Sequence, residues 1–260
     1  MGVISLFFLI LMRLAPSLIL APFLGSKLAP GIAKMGLALC LAAIFLPFIA
    51  FRAKVPVGFD TSFLFLSLKE IVVGIILGFF ITIPFFIVQT SGTIIDYLRG
   101  ASIMQAQDPS MQTQTSPIGV LYNYVLIVIF FYVDGPYLFF DAILRSYELI
   151  PPTEGFNPAL FNPNNPFWSL SFSVISQVIS IAIQMAAPPL VAILMAEMFL
   201  GIANRLAPQV QIAFLGMSIK SLLGLALLWA AWFFILKQFP KIIFHWIGVI
   251  DKLISYMNPL

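Results

Sequence analysis

The sequence predicts an all-α membrane protein of about six long hydrophobic helices, bent by prolines and arranged as helical hairpins. Of its 260 residues, 61% are hydrophobic and only 9% are charged, whereas about a quarter of the residues in a soluble domain are charged. A soluble fold of this length could not hide so much apolar surface from water. The apolar runs also exceed the roughly ten-residue alternating strands of membrane barrels. We therefore expect a single membrane-embedded domain over residues 1–260.

Six stretches reach or approach the ~20 apolar residues that a spanning helix needs. Each should be α-helical, because lipid offers no hydrogen-bond partners to an irregular backbone or an open sheet edge. The predicted helices cover residues 3–24, 29–51, 63–89, 118–144, 170–200 and 216–239.

Proline interrupts several of these stretches, including Pro47 in the second, Pro84 in the third and the Pro188–Pro189 pair in the fifth. Each proline removes a backbone donor and bends a helix, and inside a membrane neighbouring protein must satisfy the freed carbonyl groups. The stretch 170–200 is also too long for one straight crossing. We therefore expect it to break near Pro188 and expect bent hairpins wrapped around other protein.

The last segment, 241–260, mixes apolar residues with Lys241, His245 and Lys252. This composition predicts an amphipathic C-terminal tail, and a helix of that kind can lie on a membrane surface.

Segment 90–119 is a polar, glutamine-rich interruption that we expect to form a loop. Between residues 101 and 119 its only charge is Asp108, whereas exposed connectors usually carry more charge. A simple solvent-exposed connector remains an alternative, as does a methionine packed in a crevice. We favour a pore-lining or protein-lined gate, because uncharged polar and methionine side chains can line a wet passage without trapping ions. The candidate gate residues are Arg99, Gly100, Met104, Gln105, Asp108, Pro109, Met111, Gln112, Gln114, Ser116 and Pro117.

Four charges fall in or near apolar stretches, where an unpaired charge costs at least a few kcal/mol. We expect Arg13 and Glu197 to be buried in pairs, whereas Glu70 and Lys220, near helix starts, could equally snorkel to the membrane surface. A GxxxG pair in the third stretch would also let another helix approach closely. The candidate packing and buried-charge residues are Arg13, Glu70, Gly74, Gly78, Glu197, Arg205, Pro208 and Lys220.

The residues needed for catalysis are scarce. Cys40 and His245 are the only cysteine and histidine, whereas a catalytic metal needs several ligands close together and a serine nucleophile needs a base in reach. The sequence has no phosphate-cradling glycine loop and no concentrated basic face for nucleic acid. We therefore expect no enzymatic activity, no cofactor or metal, and no nucleic-acid partner.

Glycines, prolines and charges follow one another in a characteristic order along nearly the whole chain. The elements of this pattern are Arg13 with Pro22, Pro30, Glu70-x3-Gly74-x3-Gly78, Gln89-x2-Gly92-x3-Asp96-x3-Gly100, Asp108-Pro109, Ser116-Pro117, Asp134-Gly135, Glu197, Gly201, Arg205-x2-Pro208-Gln209, Phe214-x-Gly216 and Lys220. In order and spacing they resemble the SctT/FliR family of type III secretion export-gate subunits. Residues 99–101 and 114–119 resemble injectisome members of the YscT/SpaR/HrcT kind more than flagellar ones.

The resemblance implies a multi-pass protein of the bacterial inner membrane, enclosed in a secretion basal body. Its partners would be SctR/FliP-like and SctS/FliQ-like membrane subunits and an SctU/FlhB-like switch protein. Unfolded secreted proteins would cross the centre of this assembly, and segment 90–119 would contribute to the closed gate or plug. A stand-alone transporter with broken helices and a membrane scaffold without a conduit remain the alternatives.

Overall fold

The computed structural model describes residues 2–25, 30–51, 58, 60–100, 116–206 and 212–257. Within these ranges the chain forms seven α-helices and no β-strand, which confirms the predicted all-α membrane class. Five of the helices are long and apolar enough to cross a membrane, or six if one bent pair counts as a single span. The helices are α1 Gly2–Leu20, α2 Gly31–Ala50, α3 Thr61–Leu98, α4 Pro117–Tyr132, α5 Gly135–Leu149, α6 Pro166–Leu206 and α7 Ile212–Met257.

Three of the helices are much longer than a membrane crossing requires. Helices α3, α6 and α7 contain 38, 41 and 46 residues, which corresponds to about 57–69 Å at 1.5 Å per residue. The hydrocarbon core of a bilayer is only about 30 Å thick. Each of these helices is therefore about twice as long as the apolar layer that it could cross.

The predicted break near Pro188 is wrong. Helix α6 runs without interruption from Pro166 to Leu206 and contains both Pro188 and Pro189. A proline removes one backbone donor, but its fixed φ of about −65° suits a helix.

The predicted single helix over 118–144 is also wrong. Helices α4 and α5 are separate and meet at a bend of 72°. Asp134, between them, has a φ of 56°, a left-handed conformation that ends a helix. Gly135 follows because a Cβ there would run into the ring of Phe130. Pro136 then lies in the first turn of α5, where its missing N–H costs nothing.

The polar segment 90–119 begins as helix and not as loop, because α3 continues to Leu98. The hydroxyl of Ser91 donates to the carbonyl of Val88 at 2.7 Å, and that of Thr93 donates to Gln89 at 3.0 Å. The hydroxyl groups of these side chains are therefore hydrogen-bonded within their own helix.

The chain divides into two compact units. Unit 1 consists of Met1–Pro84, Phe130–Val174 and Ile242–Leu260, and unit 2 of Phe85–Ile129 and Ile175–Lys241. The boundaries fall inside α3, α4, α6 and α7.

In unit 1, α1 packs against α2, and an aromatic cluster links three separate segments. The ring of Phe23, in a short 3-10 turn after α1, lies 4.8 Å from that of Phe130 and 5.5 Å from that of Phe139. All three side chains are buried. The cluster thereby joins the end of α1 to both sides of the α4–α5 bend.

The C-terminal part of α7 also belongs to unit 1. Its buried residues recur at helical spacing, so that one face of this part of the helix is covered by protein. These residues are Ile242, Ile243, Trp246, Val249, Ile250, Leu253, Ile254 and Met257. The position on a membrane surface that the sequence suggested for segment 241–260 stays a prediction.

In unit 2, α3 and α4 touch backbone to backbone. A Cβ on Gly92 would lie 2.6 Å from the Cα of Gly119, so only glycine allows this approach. The fully buried ring of Tyr122 lies 6.1 Å from that of Trp232 and 5.9 Å from that of Phe239 on α7.

The buried aromatic cluster of unit 1 should contribute strongly to its stability. We expect Phe139→Ala, which empties a site that is 1% exposed, to reduce the free energy of unfolding by about 3–5 kcal/mol. Phe244→Ala is the matched control, because that phenylalanine is 53% exposed and should cost far less. Thermal unfolding in mild detergent measures both, and equal losses would contradict the assigned core.

Candidate functional site

A buried ion pair joins α1 to α3 in unit 1. The Arg13 Nε and a terminal nitrogen donate to the two carboxylate oxygens of Glu70 at 2.6 and 2.9 Å. Both side chains have no exposed surface. This two-point geometry is the strongest form of an arginine–carboxylate contact.

Glu70 also receives a second cation. The Lys69 Nζ lies 2.8 Å from the Glu70 oxygen that also accepts from the terminal nitrogen of Arg13. It donates at 2.7 Å to the backbone carbonyls of Pro151 and of Glu154. One carboxylate therefore faces two cations, and backbone oxygens help to compensate the remaining positive charge. Lys69 was not among the predicted site residues, although its position beside Glu70 before a long apolar run was the available signal.

Arg13 reaches α5 and the linker beyond it with its remaining donors. Its guanidinium donates to the Ser146 hydroxyl at 3.0 Å and to the Ile150 carbonyl at 2.8 Å. It also lies 4.1 Å from the centre of the Tyr147 ring, and the hydroxyl of that tyrosine donates to the Ile10 carbonyl at 2.8 Å. We call Arg13, Lys69, Glu70, Ser146 and Tyr147 the charge cluster.

Two glycines let α3 come close enough to α1 for these contacts. A Cβ on Gly74 would strike the Arg13 carbonyl group, and one on Gly78 would lie 2.9 Å from the Leu20 side chain and 3.0 Å from the Ser17 Cα. Glu70, Gly74 and Gly78 follow one another at four-residue spacing, so they share one face of α3. The small residues and the ion pair therefore belong to the same helix–helix interface.

The charge cluster holds α1, α3, α5 and the linker after α5 together. Its carboxylate is fully engaged, and its cations point at backbone carbonyls. Within the residues that the structure describes, no group of three or more His, Cys, Asp and Glu side chains could hold a metal ion.

A second buried carboxylate lies in unit 2, at the C-terminal end of α3. One oxygen of Asp96 accepts from Arg99 at 2.7 Å, and the other accepts from the Ser116 hydroxyl at 2.5 Å and the Ile118 backbone N–H at 2.8 Å. Ser116 in turn caps α4 by accepting from the Gly119 N–H at 3.0 Å. We call Asp96, Arg99, Ser116 and Ile118 the clasp.

Of the predicted gate residues, Arg99, Gly100, Ser116 and Pro117 lie at this clasp. Gly100 has a φ of 86°, the left-handed conformation that glycine adopts after a helix end. The gate candidates that lie outside the described residues are Met104, Gln105, Asp108, Pro109, Met111, Gln112 and Gln114. Asp96 was not among the predicted gate residues and belonged only to the family pattern.

The remaining predicted pair lies between α6 and α7 in unit 2. The Lys220 Nζ is 2.7 Å from a Glu197 oxygen, with the glutamate side chain 54% exposed, so Glu197 is paired but not buried as expected. Arg205 is exposed at the end of α6. Pro208 lies outside the described part of the chain.

A sequence profile described as bacterial export proteins, family 1, matches residues 4–246. This chain belongs to that family. Its relatives include Yop proteins translocation protein T of Yersinia pestis, 34% identical over 85% of this chain and 83% of the relative. SpaR of Shigella sonnei, the surface presentation of antigens protein, is 31% identical over 82% and 79%. The flagellar biosynthetic protein FliR of Bacillus subtilis is 27% identical over 82% and 81%. The resemblance to the SctT/FliR export family is confirmed.

Removing the carboxylate of the charge cluster should damage this export-family protein severely. Glu70→Ala leaves Arg13 and Lys69 buried without a counter-charge, and we expect it to lower the free energy of unfolding by about 3–5 kcal/mol. Asp251→Ala is the control, because its pair with Arg145 is partly exposed, with side chains 38% and 58% exposed, and 3.6 Å long, so its loss should cost about 0–1 kcal/mol. Thermal unfolding in detergent compares the two variants. Similar losses would contradict the buried-pair assignment.

Proposed function

We propose that this protein is a subunit of the export apparatus of a type III protein secretion system and forms part of its protein-conducting gate. The observation that carries the proposal is the family match over residues 4–246. Two relatives named for translocation and flagellar biosynthesis support it. The chain acts in the bacterial inner membrane, and unfolded secreted proteins are its transit substrates.

The exposed surface of unit 2 supports a place among other membrane subunits. Helices α6 and α7 expose many large apolar side chains, including Met198, Phe199, Leu222 and Trp229. These surfaces suit lipid or the helices of another membrane protein.

The Glu197–Lys220 pair indicates that protein or water, and not lipid, surrounds this part of α6 and α7. Hydrocarbon cannot hydrate a half-exposed carboxylate, so a position in lipid would be costly. Helices of about 57–69 Å likewise extend beyond a bilayer and need other protein around them. The proposed neighbours are SctR/FliP-like and SctS/FliQ-like subunits, with an SctU/FlhB-like switch protein in the same apparatus.

In this proposal the polar segment 101–115, which has a single charge, contributes to the seal of the closed conduit. Glutamine, serine, threonine and methionine side chains can pack against one another when the conduit is closed. They can move apart for a secreted protein of any sequence. Fixed charges would attract or hold particular substrates. Asp108 is the only charge in the segment, which suits a conduit that carries many different proteins.

Truncating side chains in the polar segment should loosen the seal without preventing assembly. We expect Met104→Ala and Gln112→Ala to increase ion leakage through purified export complexes in lipid vesicles. Met35→Ala and Gln184→Ala, at exposed helix positions, are the matched controls and should leave conductance unchanged. If all four complexes conduct like the unmodified one, the proposed gate role of the segment is overturned.

Secretion tests the wider proposal. Cells whose gene for this chain is deleted should lose type III export, and the intact gene should restore it. Export that continues in the deleted strain would contradict a role in the apparatus.

A further inference from the structure

We infer, independently of the proposed export function, that Lys237 and Lys241 of α7 form a binding site for the phosphate headgroup of an anionic phospholipid at the surface of the bilayer. Both lysines belong to unit 2, and both side chains are exposed. The ligand is a lipid of the surrounding membrane, which the two positive charges attract and hold at the helix.

A charge-free stretch of α7 ends at these lysines. The sixteen residues 221–236 contain no charged side chain and rise by about 24 Å at 1.5 Å per residue. Several large apolar side chains of this stretch are exposed, among them Leu222 and Leu225. The hydrocarbon layer of a bilayer is about 30 Å thick. The stretch is therefore close to the length and has the apolar surface that a crossing of this layer requires.

Charged side chains bound the stretch at both ends. Lys220 precedes it and pairs with Glu197 at 2.7 Å, and Lys237 follows it directly. A charge at the centre of a bilayer is costly, whereas a lysine at the edge of the hydrocarbon can extend its ammonium group among the headgroups. Lys237 and Lys241 therefore lie at the depth of the lipid phosphates when residues 221–236 cross the hydrocarbon.

Exposed aromatic rings precede the lysines on the side of the apolar stretch. Trp229 is 81% exposed, and the rings of Phe233 and Phe234 are exposed as well. The Lys237 Nζ lies 4.4 Å from the centre of the Phe233 ring. Aromatic and basic side chains together are typical of the boundary between hydrocarbon and headgroups. Water would suit the lysines but not these rings, whereas a phospholipid suits both, with its phosphate and with its tails.

The charge around the two lysines favours an anionic ligand. Their four-residue spacing places them on one face of α7, about 6 Å apart along its axis. No acidic residue occurs in the sequence between Glu197 and Asp251. Within the part of the chain that the structure describes, neither lysine forms an ion pair. Two neighbouring ammonium groups therefore remain available to a phosphate, and each basic residue near a membrane surface strengthens binding to anionic lipid.

Lipid binding to the full-length protein in mild detergent tests the site. Native mass spectrometry measures the affinity for the first added phosphatidylglycerol, which is anionic, and for phosphatidylcholine, which has no net charge. We expect the unmodified protein to prefer phosphatidylglycerol. In the double variant Lys237→Gln/Lys241→Gln the affinity for phosphatidylglycerol should fall about thirtyfold, which corresponds to about 2 kcal/mol. The affinity for phosphatidylcholine should stay unchanged.

Two further variants control for charge and for position. Lys252→Gln removes a lysine that is also exposed on α7 but lies in unit 1, and it should change the affinity for phosphatidylglycerol by less than about twofold. Lys237→Arg/Lys241→Arg keeps both charges and should bind phosphatidylglycerol at least as tightly as the unmodified protein. If the double glutamine variant does not fold, Lys241→Gln decides, with an expected loss of about fivefold.

Three outcomes would overturn the lipid site. The first is equal affinity of the unmodified protein for the two lipids. The second is a loss in Lys252→Gln as large as that in the double variant, because the effect would then follow net charge and not these two positions. The third is unchanged lipid binding by the double variant together with loss of other subunits from its complexes, which would assign the lysines to an acidic protein surface. Loss of phosphatidylglycerol affinity at Lys237 and Lys241 alone supports the site, whatever the deletion strain secretes.

Discussion

A carboxylate can be buried in so apolar a protein only if cations and N–H or O–H donors are buried with it. Glu70 meets this constraint with Arg13 and Lys69, and through them it ties α1 and α3 to the carbonyls at Ile150, Pro151 and Glu154. Much of unit 1 depends on this arrangement, because the same face of α3 carries the glycines that bring α1 close. Asp96 meets the constraint in unit 2 with Arg99, Ser116 and Ile118.

The two carboxylates illustrate how a chain with only 9% charged residues uses its charges. Apolar contacts alone do not fix one register in a lipid environment, because lipid tails are as apolar as the side chains that compete with them. A buried ion pair with several hydrogen bonds finds all of its partners in only one arrangement of the helices. The apolar surfaces of α6 and α7 can then serve contacts with partners, while the charges define the internal arrangement of each unit.

The sequence predicted the class of fold and the burial of Arg13, because length, composition and depth in an apolar run depend only on local sequence. It could not identify Glu70 as the partner of Arg13, since the two residues are 57 positions apart and snorkelling was an equal alternative. The end of α3 was predicted too early because the segment after residue 89 is polar. The helix continues to Leu98, since the hydroxyls of Ser91 and Thr93 bond to carbonyls of their own helix. The Pro188–Pro189 pair led to a predicted break in α6 that the structure does not have. The bend lies between α4 and α5, where Asp134 has a left-handed conformation and Gly135 packs against Phe130.

The central claim is that this chain works as one subunit of a larger membrane complex and not as a transporter by itself. The most direct test is native mass measurement of the full-length protein, purified through a tag in mild detergent from cells that express the secretion system. A subunit of an export apparatus should be recovered as a defined complex with other small membrane proteins in fixed ratio. A monomer or a homodimer carrying no other subunit would contradict it.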